Sequence, residues 1–134
     1  MSLPTRAEGL RYRDAGVDID AADAAIEKAK GAIRRTFNDR VLADVGSFGG
    51  LFRADGLGEQ PVLVGTTDGV GTKTRVAAAS QRFDTVGRCL VQHCINDALV
   101  QGAVPLFFLD YVGMGKLHAD RVAAIITGIA DACA

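Results

Sequence analysis

One stretch constrains this chain more than any other. Pro61-Val62-Leu63-Val64-Gly65-Thr66-Thr67 is rich in β-branched residues and bounded by turn formers, which is the composition of a strand. It runs directly into Asp68-Gly69-Val70-Gly71-Thr72-Lys73, and a short helix is expected to follow through Ala79. The order is therefore strand, glycine turn, hydroxyl, lysine. Glycine lets a backbone approach a phosphate, because no Cβ intervenes and unusual φ values are open to it. Successive N–H groups in such a turn can cradle phosphate oxygens. Lys73 adds a cation, Thr72 a hydroxyl, and Asp68 a carboxylate of the kind that Mg²⁺ prefers. The block is not a P-loop, since the spacing G-x-x-x-x-G-K-S/T is absent and Lys73 follows the threonine; nor is it G-x-G-x-x-G. A tight turn with a solvated lysine accounts for the same residues equally well.

The rest of the chain supplies elements around this block. Residues 1–19 have no clear period, and Tyr12-Arg13-Asp14-Ala15-Gly16-Val17-Asp18-Ile19-Asp20 reads as an extended arm. A helix is expected after Asp20, which can cap it, with Asp23 in its first turn. Ile26, Ala29, Ile33 and Phe37 share one face at helical spacing, Arg34 and Arg35 suit the C-terminal end, and Asn38-Asp39 ends the run. Leu51-Phe52-Arg53, set among Gly46, Gly49, Gly50, Gly56 and Gly58, reads as a short strand. Asp84 to Gly102 is the clearest helix, with Val86, Leu90, Val91, Cys94, Ile95 and Ala98 on one apolar arc. Pro105-Leu106-Phe107-Phe108-Leu109-Asp110-Tyr111-Val112 reads as a buried strand ended by Gly113 and Gly115. Asp120 starts a last helix, with Val122, Ile125, Ile126 and Ile129 on one side. Neither an internal repeat nor a low-complexity linker divides the chain.

Composition bounds the function. The 134 residues suit one domain or part of a larger one. Fifteen Lys plus Arg against 16 Asp plus Glu leave a net charge of −1, so there is no electrostatic footprint for nucleic acid or a membrane surface. No apolar run approaches the ~20 residues that span a bilayer. Met1-Ser2-Leu3-Pro4-Thr5-Arg6 lacks the apolar stretch of a signal peptide. Cys89, Cys94 and Cys133 are odd in number and form no C-x-x-C, which argues against a disulfide framework or a thiolate zinc site and fits a reducing cytoplasm. Cys94 reads as core, since a free cysteine packs like a small hydrophobe. The last helix reaches Ala134 without a capping glycine, which suggests a fragment.

Three further features invite a chemical reading. Asp97 falls inside the apolar arc of the long helix, and Gln101 with it, while Asn96 lies outside toward Gln92. A carboxylate on such a face is costly unless it is paired or binds a metal. With Asp68 and Asp110 it could hold one or two Mg²⁺ ions; a buried ion pair is the plainer account. Lys30 interrupts the Ile26–Phe37 stripe, so it either snorkels to water or reaches a phosphate. Gly46-Ser47-Phe48-Gly49-Gly50 is either a mobile cover over a ligand or a turn leading into a strand. His93 and His118 have no metal-like partner at i+4 and read as ordinary surface or packing residues.

Five blocks in this order carry a resemblance. Tyr12 to Asp20, Gly46 to Gly50, Gly65 to Lys73, Asn96-Asp97-Ala98-Leu99-Val100-Gln101-Gly102-Ala103 and Pro105 to Tyr111 together resemble the N-terminal part of the phosphoribosylformylglycinamidine cyclo-ligases, or AIR synthetases. The A-G-V-D-I-D and D-G-V-G-T-K blocks point to this family rather than to its relatives. The resemblance implies an α/β domain of the α+β type, with a four-stranded sheet flanked by helices that pairs into a barrel across a homodimer. It implies ATP and Mg²⁺ as cofactors and a small nucleotide substrate, formylglycinamidine ribonucleotide, closed to aminoimidazole ribonucleotide through an iminophosphate. On this footing Lys30 and Lys73 meet ATP phosphates. Asp68 and Asp97, with Asn96 beside it, bind Mg²⁺–ATP, and Asp110 is a weaker member of the metal set. Gly46, Ser47, Phe48, Gly49 and Gly50 fold over the nucleotide, Gly69, Val70, Gly71 and Thr72 line it, and Lys73 and Asp68 act in catalysis. Residues 1–19 form an arm, and 20–134 form a truncated ATP-binding and dimerisation domain whose C-terminal companion is absent.

Two other readings stand beside this one. Selenophosphate synthetase, thiamine-monophosphate kinase and the hydrogenase-maturation relative share an acidic Mg²⁺–ATP site but lack D-G-V-G-T-K. Selenophosphate synthetase would also carry a reactive Cys near its start, and none precedes Cys89. A non-catalytic nucleotide-binding or dimerisation module is the alternative outside enzymology.

Overall fold

The first long helix of this chain begins two residues earlier than the sequence suggests. In the computed structural model, which describes residues 11–134, Tyr12–Ala15 is a single 3₁₀ turn closed by Gly16 at φ +90°. Helix α1 then runs Ile19–Arg35. Its N-cap is Asp18, whose side chain accepts the Ala21 N–H at 3.1 Å, so Asp20 lies inside the first turn and is not the cap. The arm is thus a turn and a helix start from residue 12 onward, not an extended segment. Residues 1–10 of the expected arm lie outside the described residues.

Three more helices follow: α2 at Lys73–Ser80, α3 at Asp84–Leu99 and α4 at Ala119–Cys133. Helix α4 packs between α1 and α3. Against α1 the contact is alanine-rich: Ala25 and Ala29 are fully buried against Val122 and Ile126, with Ile26, Ile33, Val112 and Leu117 around them. Against α3 it rests on two glycines. A Cβ built on Gly128 would stand 2.9 Å from the Asp84 carbonyl carbon and closer still to its oxygen. One built on Gly87 would meet the Ile125 carbonyl oxygen and lie 2.9 Å from the Ile129 nitrogen. Only glycine at both places lets the two backbones touch. Val86, Val91 and Cys94 are buried on the arc expected for α3, and Val122, Ile126 and Ile129 on the face expected for α4.

Ion pairs bind the same helices at their edges. Asp131 of α4 accepts from Arg35 of α1 at 2.9 Å and from Arg88 of α3 at 3.0 Å, so one carboxylate joins three helices. Lys28 of α1 pairs with Asp120 at the other end of α4. Helix α2 sits on the flank of α3 and buries Ala77.

The expected four-stranded sheet, and with it the barrel, is not present among the described residues. Its trace is a single antiparallel bridge between Val41 and Phe52. Leu42 N–H donates to the Leu51 carbonyl at 2.8 Å and Arg53 N–H to the Arg40 carbonyl at 2.7 Å, which makes residues 40–53 a short hairpin. Residues 61–67 and 105–112, expected as strands, carry no ladder. The second is not buried either: Phe107, Leu109 and Tyr111 are 56%, 66% and 92% exposed. A β-branched run prefers a pleated surface only when cross-strand and same-face neighbours pack on it. These two runs lack such neighbours, so their composition alone does not make a sheet. The fold is helical, not α+β.

The cost of that arrangement is visible in the surface area. The chain exposes 10266 Å², against roughly 6,700 Å² for a compact monomer of its mass. Setting aside the full unfolded-chain surface of ten residues, about 1,600 Å², leaves an excess near 2,000 Å². Much of it is apolar, from Val62, Leu63 and Val64 to Leu109 and Tyr111.

Candidate functional site

Asp97 is placed by the end of α3. The apolar arc is covered at Val86, Val91 and Cys94, but the cover stops before the last turn. Asp97 therefore faces solvent rather than the core, although it shares the helical phase of the buried residues. Opposite it runs the strand-like segment that leads to the glycine turn. Thr66 Oγ1 lies 3.5 Å from Asp97 Oδ2, at the outer limit of a hydrogen bond. Residues 63–66, Asp97, Val100 and Gln101 line an open cleft of about 600 Å³. Asn96 is exposed beside Asp97, and its carbonyl accepts the Val100 N–H at 3.1 Å.

The glycine turn continues from Thr66 to α2. Asp68 is exposed and its Oδ1 accepts the Gly69 N–H at 2.7 Å. Gly71 sits at φ +58°, a left-handed position that favours glycine. Thr72 precedes α2 without a side-chain capping bond, and Lys73 is the first residue of that helix. Unlike Lys28 and Lys30, Lys73 has no carboxylate partner among the described residues. Val70 is half-buried, whereas Gly69 and residues 71–73 are exposed. The block thus presents a cation and a hydroxyl at the N-terminal end of a helix.

Lys30 neither snorkels alone nor stands free. It is half-buried on α1 and pairs with Glu27 at 3.1 Å. Its charge also helps to hold the Asp44 carboxyl low, which places it near the base of the hairpin. The Gly46-Ser47-Phe48-Gly49-Gly50 run forms the tip of that hairpin, with Phe48 fully exposed. The hairpin leans on residues 105–112: Phe52 and Phe107 have ring centroids 5.3 Å apart, and a Cβ on Gly50 would lie 3.0 Å from Leu109 Cδ2.

Asp110 points elsewhere. Burial raises its carboxyl pKa even though the residue keeps solvent contact, and its charge adds to the burial that raises the Cys133 thiol. It belongs with the end of α4. Among the described residues no three His, Cys, Asp or Glu side chains stand close enough to hold a metal ion, so Asp68, Asp97 and Asp110 form no common cluster. His118 is the N-cap residue of α4 without a capping side-chain bond, and His93 is half-buried on α3. Two partnerships escaped the reading of the residues. Thr66 meets Asp97 across 31 positions, and Arg34 meets Asp44 across ten; no spacing signals either.

A family model described as "AIR synthase related protein, N-terminal domain" matches residues 49–134, which include the glycine turn, α2, α3 and α4. The chain belongs to the AIR synthase related family. This AIR synthase related domain is also similar along almost its whole length to curated proteins named phosphoribosylformylglycinamidine cyclo-ligase. The one from Xanthomonas oryzae pv. oryzae is 53% identical over 125 residues, 93% of this chain and 37% of the relative. That from Burkholderia cenocepacia is 54% identical over 127 residues, 95% of this chain and 36% of the relative. That from Xylella fastidiosa is 52% identical over 130 residues, 97% of this chain and 37% of the relative. The chain spans little more than a third of the length of these relatives, and it corresponds to their N-terminal portion. No helix among the described residues is long and apolar enough to cross a membrane.

Proposed function

We propose that this chain supplies the nucleotide-binding part of a phosphoribosylformylglycinamidine cyclo-ligase, which uses ATP to close formylglycinamidine ribonucleotide into aminoimidazole ribonucleotide in purine biosynthesis. The observation that carries the reading is the cleft where Thr66 meets Asp97, next to a glycine turn that ends on Lys73, which has no carboxylate partner among the described residues. In the reaction the substrate amide oxygen attacks the γ-phosphorus of ATP and ADP leaves. The ring-forming amine then adds to the activated carbon, and phosphate departs. Such a phosphoryl transfer asks for alignment and charge neutralisation rather than a protein nucleophile.

The residues divide those tasks. Lys73, at the first position of α2, neutralises charge on the transferred phosphoryl group. The N–H groups of Val70 and Gly71 border the phosphates, the Gly69 N–H being held by Asp68, and the Thr72 hydroxyl donates to them. Asp97 and Asp68 would hold Mg²⁺, with Asn96 beside them. Magnesium commonly takes one or two carboxylates together with substrate phosphates, so Asp97 on the cleft and the exposed Asp68 of the adjoining turn suit it without a preformed protein cage. Bound there, the ion would offset the charge of the phosphates. Lys30 turns from Glu27 to a phosphate, and the Gly46–Gly50 tip closes over the nucleotide with Phe48 at its end.

The same reading makes the protein a cytoplasmic homodimer. A second copy and the remaining length found in the relatives would cover the apolar segments at 61–65 and 104–111. Calorimetry of Mg²⁺–ATP with the full-length protein, beside Lys73→Ala and Asp97→Ala, tests the site. Each substitution is expected to weaken binding by at least about tenfold, the worth of a hydrogen bond to a charged group. Wild-type affinity in both variants would refute the assignment.

A further inference from the structure

The hairpin that carries the glycine tip is fastened to α1 at its base. Arg34, in the last turn of α1, forks onto Asp44: its Nε donates to Oδ1 at 3.1 Å and its Nη2 donates to Oδ2. Asp44 Oδ1 also accepts the Val45 N–H at 2.8 Å. The chain then turns at Gly46, φ +100°, and returns to Leu51, whose carbonyl closes on the Leu42 N–H. Residues 46–50 make no hydrogen bond to the rest of the chain among the described residues. Their position is set by the two ends of the loop. One end rests on apolar contacts of Gly50 and Phe52 with Leu109 and Phe107. The other end rests on the fork. Lys30, one turn before Arg34 on α1, lies on the same side.

We propose that Arg34 is a positioning residue, whose fork on Asp44 fixes the base of the Gly46–Gly50 loop over the Lys30 face of α1. What the loop covers rests on the nucleotide reading above; that the fork places the loop does not. Both side chains are about half exposed, so the pair adds little to global stability. Its contribution is directional. A guanidinium held by two parallel bonds fixes the orientation of the carboxylate, which a lysine ammonium cannot do. The Arg34 guanidinium and the Val45 N–H, with smaller help from Lys30, hold the Asp44 carboxyl down at about 2, so the fork stays ionised at any pH the cell presents. Apparent affinity falls in proportion to the fraction of molecules whose loop is in place, and losing the fork lowers that fraction.

The test uses Arg34→Ala, Arg34→Lys and Asp44→Asn in the full-length protein. Three readouts are needed: hydrogen exchange of residues 41–53 without nucleotide, thermal midpoint, and Mg²⁺–ATP affinity. The expected result is faster exchange in that segment for Arg34→Ala and Arg34→Lys alike, with midpoints within about 2 °C of wild type. Dissociation constants for Mg²⁺–ATP rise roughly threefold to tenfold. Asp44→Asn keeps an acceptor for Val45 but loses the charged fork, and falls between. Unchanged exchange in Arg34→Ala overturns the proposal. So does an Arg34→Lys protein that matches wild type, because charge alone would then suffice. A wild-type protein that binds no Mg²⁺–ATP overturns the nucleotide reading instead, and the exchange rates still decide the role of the fork.

Discussion

Two carboxylates show how one residue type is put to different uses by its surroundings. Asp97 stands in an open cleft beside a threonine hydroxyl. Asp110 lies against the end of α4, where burial raises its pKa. For Asp110 the sign follows directly. A raised value means that folding disfavours the charged form, so the penalty is present at neutral pH and is relieved as pH falls through the raised value. Asp110→Asn is therefore expected to raise the thermal midpoint at pH 7, with the gain fading below the ordinary carboxylate range. A midpoint that drops at pH 7 would show that the ionised carboxylate is held by a favourable contact in the folded protein, and would contradict the raised value. The exposure of Asp97 was not legible in the sequence. Helical phase places it on the apolar arc, but phase does not say where along α3 the cover ends.

Helices were the legible part of the fold. The stripes on α3 and α4 bury residues that their periodicity picks out, because a 3.6-residue repeat is a local property of the chain. On α1 only Ala29 of the expected stripe is buried; Ala25 and Ala32 share its face, and Ile26, Ile33 and Phe37 are half-buried. The strands were not legible, because a strand is completed by neighbours far away in sequence or outside the chain. Two glycines in helices mark the same divide. Gly31 lies in α1 with open space around a built Cβ, whereas Gly128 lies in α4 against the backbone of Asp84. Gly31→Ala is expected to stabilise by about 0.5–1 kcal/mol through helix propensity. Gly128→Ala is expected to destabilise by about 1–3 kcal/mol or more, since α3 and α4 must separate. Chemical denaturation of the two variants checks this, and equal effects would contradict the α3–α4 packing. No sequence pattern distinguishes these glycines; the contact does.

On the scale of the whole molecule, surface area is the leading fact. An excess near 2,000 Å² on one chain is more than twice the ~800 Å² that each partner of a standard-sized interface removes from water, so it leaves room for an extensive one. The apolar side chains at Val62, Leu63, Val64, Phe107, Leu109 and Tyr111 supply the matching surface. Leu109→Asp with Tyr111→Lys is accordingly expected to reduce self-association in sedimentation at micromolar concentration without loss of helical signal. Unchanged sedimentation would remove this surface from the interface. The central claim, however, is that the nucleotide site lies in this part of the protein, around Asp97 and Lys73. The measurement that tests it most directly is calorimetric titration of Mg²⁺–ATP into wild type and into the Lys73→Ala, Asp97→Ala double variant. Saturable binding by wild type that the double variant loses by more than about a hundredfold is the expected result. Equal binding by both, with the variant folded, would place the nucleotide elsewhere and contradict the claim.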